Sequence, residues 1–228
     1  SQAKAKGLTS TVCFPRGNIA PEGSVIKATA IDPAVVGKDG VYRHRGPARV
    51  FLSERDAIQA VKDKKIQAGD VMVLMCRGPM GSGMEETYQI TSALKHLPFG
   101  KQVALVTDAR FSGVSTGACI GHVGPEALAG GPIGKLKEGD LLDIEIDRVK
   151  LEGSVNLVGE NGQFLGVEWG NSQIQGRQLR SDLHADENLP DDTRLWANLQ
   201  ALSGGTWGGC VYDADCLEKA IKLVDRKS

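Results

Sequence analysis

Three places in the sequence carry side chains whose types and spacing could do chemistry. The first is Ser112, in the run Thr107-Asp-Ala-Arg-Phe-Ser-Gly113, directly after the apolar stretch 102–106 (QVALV). A serine there could attack a carbonyl or accept a proton, and either task requires something to activate it. The run is not the G-x-S-x-G elbow, because Arg110 and Phe111 precede the serine, and the spacing of His44, His96, His122 and His184 supports no triad. From chemistry alone, a serine-type turn outweighs a nucleophile. The second is Glu86, which the spacing predicts at the start of a helix over 85–97, four residues before Ile90 on a stripe completed by Ala93 and Leu97. A carboxylate turned inward must be paired, protonated or bound to metal, with partial help from the positive helix end. The alternative is a capping glutamate in water, and one carboxylate is too few for a Mg2+ site. The third is the glycine-rich stretch 78–83 (GPMGSG) between a buried strand and that helix. It reads either as a pocket for a carboxylate or phosphate or as a turn required only for packing. It is neither a P-loop nor a dinucleotide fingerprint.

The elements that must hold these loops follow from periodicity. Residues 23–30, 48–52, 70–75 and 102–106 read as strands, and 117–123 as a further one. Ser53 caps a helix with Ala57, Ile58 and Val61 on its buried side. Residues 32–45 are polar and read as loop, and 161–191 as loop or short strands. Residues 139–146 and 149–151 alternate as a hairpin around Asp147-Arg148. One helix is expected from Asp191 or Asp192 to Leu202, followed by a glycine-rich turn at Gly204-Gly205 and Gly208-Gly209. A last helix is expected over about 213–226, with Leu217, Ala220, Ile221 and Val224 on one side. The class is mixed α/β with glycine-rich loops at strand ends, where ligands of such folds collect.

Composition removes several functions. Lys and Arg number 27 against 28 Asp and Glu, a formal net charge of -1, which gives no basic field for nucleic acid or an anionic membrane. Aromatics at 5% give no stacking platform, and no apolar run reaches membrane-spanning length. The five cysteines, Cys13, Cys76, Cys119, Cys210 and Cys216, form no C-x-x-C pair and read as reduced, mostly buried thiols of a cytoplasmic protein. His122, in an apolar run, reads as a core histidine rather than a ligand.

At the Ser112 loop a family becomes recognisable. Residues 106–134 (VTDARFSGVSTGACIGHVGPEALAGGPIG) closely resemble the C-terminal domain of the dihydroxy-acid dehydratase / 6-phosphogluconate dehydratase family. Residues 16–30 (RGNIAPEGSVIKATA) and 78–86 (GPMGSGMEE) resemble further motifs of that family, in its order. The wording is most similar to the sugar-acid branch, the xylonate dehydratases in particular. The resemblance implies a swivelling β/β/α domain with a barrel-like sheet, a core over about 16–209, and elimination of water from a 2,3-dihydroxy acid to a 2-keto-3-deoxy acid. It implies that Ser112 is the proton-accepting base, that Glu86 is one Mg2+ ligand, and that Gly81, Gly83, Arg110, Gly113 and Ser115 touch substrate.

The resemblance also implies an iron–sulfur cluster whose cysteines lie in an N-terminal domain. Residues 1–228 are therefore expected to be the C-terminal domain of a longer, homo-oligomeric cytoplasmic enzyme. Its partner is its own N-terminal domain; the isolated piece would be inactive and bind no cofactor. Around 78–83 and Ser112 the surface should be open. Where some relatives carry threonine two residues after the serine, this chain has Val114. A non-catalytic binding module of the same fold and an aconitase-type small domain are the alternatives.

Overall fold

The computed structural model describes residues 11–205, 207 and 212–225. Cys210 and the Gly208-Gly209 turn lie outside the described residues. The strands are β1 (Val12–Cys13), β2 (Gly23–Lys27), β3 (Val41–Phe51), β4 (Val71–Leu74), β5 (Glu86–Thr87), β6 (Ala104–Thr107), β7 (Arg110–Phe111), β8 (Ala118–Gly124), β9 (Leu141–Asp147), β10 (Glu152–Glu160) and β11 (Gln163–Phe164). The helices are α1 (Glu54–Lys62), α2 (Pro79–Ser82), α3 (Gln89–Lys95), α4 (Val167–Gly176), α5 (Asp191–Leu202) and α6 (Ala214–Asp225).

Among the described residues nine strands make one sheet in the order β1-β2-β8-β6-β4-β3-β9-β10-β11. Its centre, β8-β6-β4-β3, is parallel, and both flanks are antiparallel. The sheet curls until its ends meet. Arg16, just past β1, bridges Ser154 of β10. Two residues on, the Asn18 side chain substitutes for a strand: its amide donates to Leu157 O at 3.0 Å and its oxygen accepts from Leu157 N at 2.7 Å. The mixed α/β class and the barrel-like sheet are as the sequence implied.

The strand period of two sorts the core into layers. Val71 and Val73 point into the barrel with Tyr42, Val106, Ile120, Leu142, Ile144 and Leu157. Met72 and Leu74 point outward, where Leu105 and Cys119 join Ala57, Ala60 and Val61 of α1 and Ile90 and Leu94 of α3. A strand buried on both faces reads as an unbroken apolar run, as β4 does. Ser53 caps α1 as expected, its hydroxyl accepting from Asp56 N at 3.1 Å.

Four expectations change. The expected hairpin forms, but its turn covers 148–151 and its second strand is Glu152–Glu160 rather than 149–151. Residues 41–45 are the first half of β3 and not a loop. Arg43 and Arg45 face outward and pair across the sheet with Glu145 and Asp143, while half-buried His44 stacks on Tyr42 on the other face. The stretch 161–191 contains a full helix, α4, which packs Ile174 and Trp169 on the barrel core. The helix expected from 85 starts only at Gln89, for a reason given below.

Candidate active site

Because β3, β4 and β6 run in parallel, their C-terminal ends lie at one end of the sheet, and β4 and β6 lead into the two loops singled out by chemistry. A buried carboxylate ties these loops together. Asp108, 1% exposed, accepts from Cys76 N at 3.1 Å, Arg77 N at 2.9 Å and Ala127 N at 3.0 Å. Burial raises its pKa, and those three backbone donors oppose the shift. Beside it Glu126 accepts from Met80 N at 2.9 Å on one oxygen and 3.2 Å on the other. Burial first, then the Asp108 charge, pushes the Glu126 carboxyl up to about 8 against the opposing backbone donors.

Past this clasp the chain turns through Gly83 and Met84, both left-handed (φ 68° and 58°), and then extends. Left-handed residues cannot continue an α-helix, so Glu86 lies on a strand and not on the inward face of a helix. β5 pairs in parallel with β7, setting Glu86 opposite Arg110 and Thr87 opposite Phe111. The Thr87 hydroxyl donates to Arg110 O at 3.0 Å. Glu86 is exposed, with Oε2 3.7 Å from Arg110 Nη2. The spacing that suggested an inward carboxylate was a coincidence of register with Ile90; the proximity to the Ser112 loop is real.

Ser112 is the next residue after β7 and is half-buried. Its Oγ accepts from Val114 N at 3.4 Å, and its carbonyl from Ser115 N at 2.9 Å. Lys27 holds the loop from the β2 side, Nζ donating to Gly113 O at 2.9 Å. Ser115 is buried with its hydroxyl 3.3 Å from that of Thr91 on α3. The Ser112 loop is thus tied on its inner side to the element that follows Glu86, while Arg110, Gly113 and Val114 face solvent.

The glycines separate by what a side chain would meet. At Gly81 a Cβ would sit 2.1 Å from Cys76 O, and at Gly83 2.3 Å from Thr193 Cγ2; internal packing accounts for both. At Gly113 a Cβ would meet nothing within 4 Å, so the chain's own packing does not demand glycine there. The surface is open around Ser112 and Glu86. It is not open at 78–83, which α5 and the segment before it cover: Asp186 N donates to Gly81 O at 2.7 Å. That cover carries no sequence motif, and the polar run 177–190 gave no signal of it.

His122 is half-buried with its ring edge-on to Phe111 at 6.0 Å. Burial, and then the Arg110 charge, lowers its pKa. Cys13, Cys76 and Cys119 are buried and dispersed, and Cys216 is exposed on α6. Burial pushes the Cys13 and Cys76 thiols up to about 11 and the Cys119 thiol up to about 12. Among the described residues no group of three or more His, Cys, Asp or Glu side chains could hold a metal. An iron–sulfur cluster therefore has no ligand set in these residues. Glu86 fits Mg2+ only as one exposed oxygen donor of a set completed by other groups. No described helix is long and apolar enough to cross a membrane.

Fold and geometry together define a curled α/β domain that presents a serine, an arginine and a glutamate on two adjacent strand-end loops. The sequence profile of the dihydroxy-acid/6-phosphogluconate dehydratase C-terminal family matches residues 3–164, and the chain belongs to that family. It is 64% identical over 98% of its length to the D-xylonate dehydratase YagF of Escherichia coli strain K12, and 60% identical over 97% to the D-xylonate dehydratase YjhG of the same organism. A dihydroxy-acid dehydratase of Lachnospira eligens is 51% identical over 67% of the chain. The chain spans 34% of the length of each xylonate dehydratase and 26% of the third.

Proposed function

We propose that this chain is the C-terminal part of a longer cytoplasmic hydro-lyase that removes water from a 2,3-dihydroxy sugar acid such as D-xylonate, giving a 2-keto-3-deoxy acid. The observation that carries this is the β5–β7 pairing, which joins the Glu86 loop to the Ser112 loop in register. The branch assignment is supported by identities of 64% and 60% to two xylonate dehydratases over nearly the whole chain. The free thiols among the described residues support a reducing compartment.

In this reading Ser112 accepts the proton from C2 of the substrate. The C3 hydroxyl leaves with its bonding pair and is protonated to water, and the C2–C3 enol tautomerises to the ketone. A C2 proton is weakly acidic, so the serine must be held deprotonated and the developing enolate neutralised. Arg110, exposed beside Glu86, offers the substrate carboxylate a planar, two-pronged partner. Gly113 leaves room for substrate to approach the backbone, and buried Ser115 holds the loop from beneath.

Glu86 would supply one ligand to Mg2+. When bound, Mg2+ and an iron–sulfur cluster held by another part of the protein supply Lewis acidity. Among the described residues the Ser112 hydroxyl has no histidine, lysine or carboxylate partner to activate it, which supports a site completed by the rest of a longer protein, its N-terminal domain.

The test is dehydration of D-xylonate by the full-length protein that contains this chain, followed as 2-keto acid. Turnover with loss of one water supports the assignment. Tricarboxylate isomerisation, or no turnover in a protein with full iron and Mg2+ content, refutes it.

A further inference from the structure

The segment that carries Glu86 is held from its far side by a part of the chain that the family profile does not include. The profile ends at residue 164. Beyond it, α4 and the following coil form an arm across the end of the barrel. The arm is anchored where Arg177 grips Asp140 through two bonds at 2.5 and 3.0 Å, both side chains buried. It passes Gly134, whose carbonyl accepts from Arg180 N at 3.1 Å, and reaches the 78–86 segment at Asp186 and Thr193.

There a single guanidinium joins three pieces of chain. Arg77, with its side chain 11% exposed, donates from Nε to Leu52 O at 3.1 Å. Its Nη1 lies 3.2 Å from both Asp186 Oδ2 and Glu85 Oε1. Asp186 is itself fixed, accepting from Asn188 N at 2.9 Å and donating its own N–H to Gly81 O. Glu85 is the residue before Glu86, and between Gly81 and Glu85 the chain makes its left-handed turn. The arm therefore bears on both ends of the turn that aims Glu86.

The relatives differ in how much of the chain they match. The two xylonate dehydratases match 97–98% of this chain and so include the arm, whereas the Lachnospira dihydroxy-acid dehydratase matches 67%.

We propose that Asp186 is a positioning residue, which through Arg77 and Glu85 fixes the placement of Glu86, and that the arm adapts the shared site to the sugar-acid branch. The inference rests on the reading of Glu86 as a Mg2+ ligand. A partly exposed ion pair contributes a small factor rather than an all-or-none one.

The test uses Asp186→Asn, with Asp182→Asn as control, because Asp182 pairs with Arg180 on the same arm at 2.6 Å without touching the 78–86 segment. Amide hydrogen exchange in the 228-residue chain is read at Gly83 and Met84, whose N–H groups bond Pro79 O and Gly78 O. Exchange there should quicken about two- to fivefold in Asp186→Asn, with β4 and β6 unchanged and the control like the parent. In the full-length protein the Mg2+ concentration for half-maximal D-xylonate turnover should rise by a similar factor of about two to five. Unchanged exchange at 83–84 overturns the clamp. Faster exchange with unchanged Mg2+ dependence overturns the positioning role and leaves only a packing contact. Should the parent protein not dehydrate D-xylonate at any Mg2+ concentration, the functional reading fails, and with it the positioning role, while the exchange result still decides the clamp.

Discussion

Glu86 and Arg110 stand opposite each other in a parallel pair of two-residue strands, and their side chains meet at 3.7 Å on an exposed surface. Backbone pairing, rather than the ion pair, does the positioning, because exposed pairs contribute at most about 1 kcal/mol. Arg110→Ala in this chain should therefore shift stability by less than about 1 kcal/mol in thermal unfolding. In the full-length protein the same change should raise KM for D-xylonate by roughly tenfold or more, as loss of a charge-assisted partner does. An unchanged KM would remove Arg110 from substrate binding.

Asp108 takes three backbone N–H groups from two loops on its two oxygens. In Asp108→Asn an NH2 group faces either the Arg77 N–H or the pair from Cys76 and Ala127. The variant should lose roughly 3 kcal/mol, read as a lower denaturation midpoint, with early exchange at Cys76 and Ala127. A neutral result would mean that the loops are held together some other way.

Glu126 gives a pH dependence. Burial pushes its carboxyl from the ordinary 4.5 up to about 8, so between those values the folded chain retains a proton that the unfolded chain releases. This contribution to stability is present below about 4.5 and is lost as pH rises through about 8. The slope contributed is at most about 1.4 kcal/mol per pH unit. Glu126→Gln keeps an acceptor for Met80 N and should flatten the fall in stability between pH 5 and 8, measured by urea midpoints at each pH. An equal slope in both proteins would show that Glu126 titrates normally.

Gly83→Ala and Gly113→Ala should separate packing from function. Gly83 is left-handed and lies against Thr193, so alanine should cost about 1–2 kcal/mol of stability. Gly113 has open space where a Cβ would go, so alanine should leave the melting temperature within about a degree of the parent while lowering turnover of the full-length protein. Equal stability losses at both positions would contradict this division.

The parallel core was legible because β4 and β6 are buried on both faces and read as apolar runs, and Ser53 announced α1 by its capping hydroxyl. The first half of β3 was not, because Arg43, His44 and Arg45 give no apolar alternation; their pairing with β9 appears only once the strands are side by side. Ser112 and Glu86 were singled out as candidates by residue type and position, and the resemblance gave them roles. The local geometry of Glu86 was misread because helical spacing to Ile90 cannot reveal the left-handed backbone at Met84. Arg77 and Asp186 escaped notice because their relation spans 109 residues.

The central claim is that Ser112 removes the substrate's C2 proton. The direct measurement is turnover of D-xylonate, protonated or deuterated at C2, by the full-length protein and by Ser112→Ala at matched iron and Mg2+ content. The account predicts a primary isotope effect in the parent and a loss of at least about a hundredfold in the variant, with the fold intact because among the described residues the Ser112 hydroxyl makes only the weak bond to Val114. Undiminished turnover in Ser112→Ala, with the isotope effect retained, would contradict it.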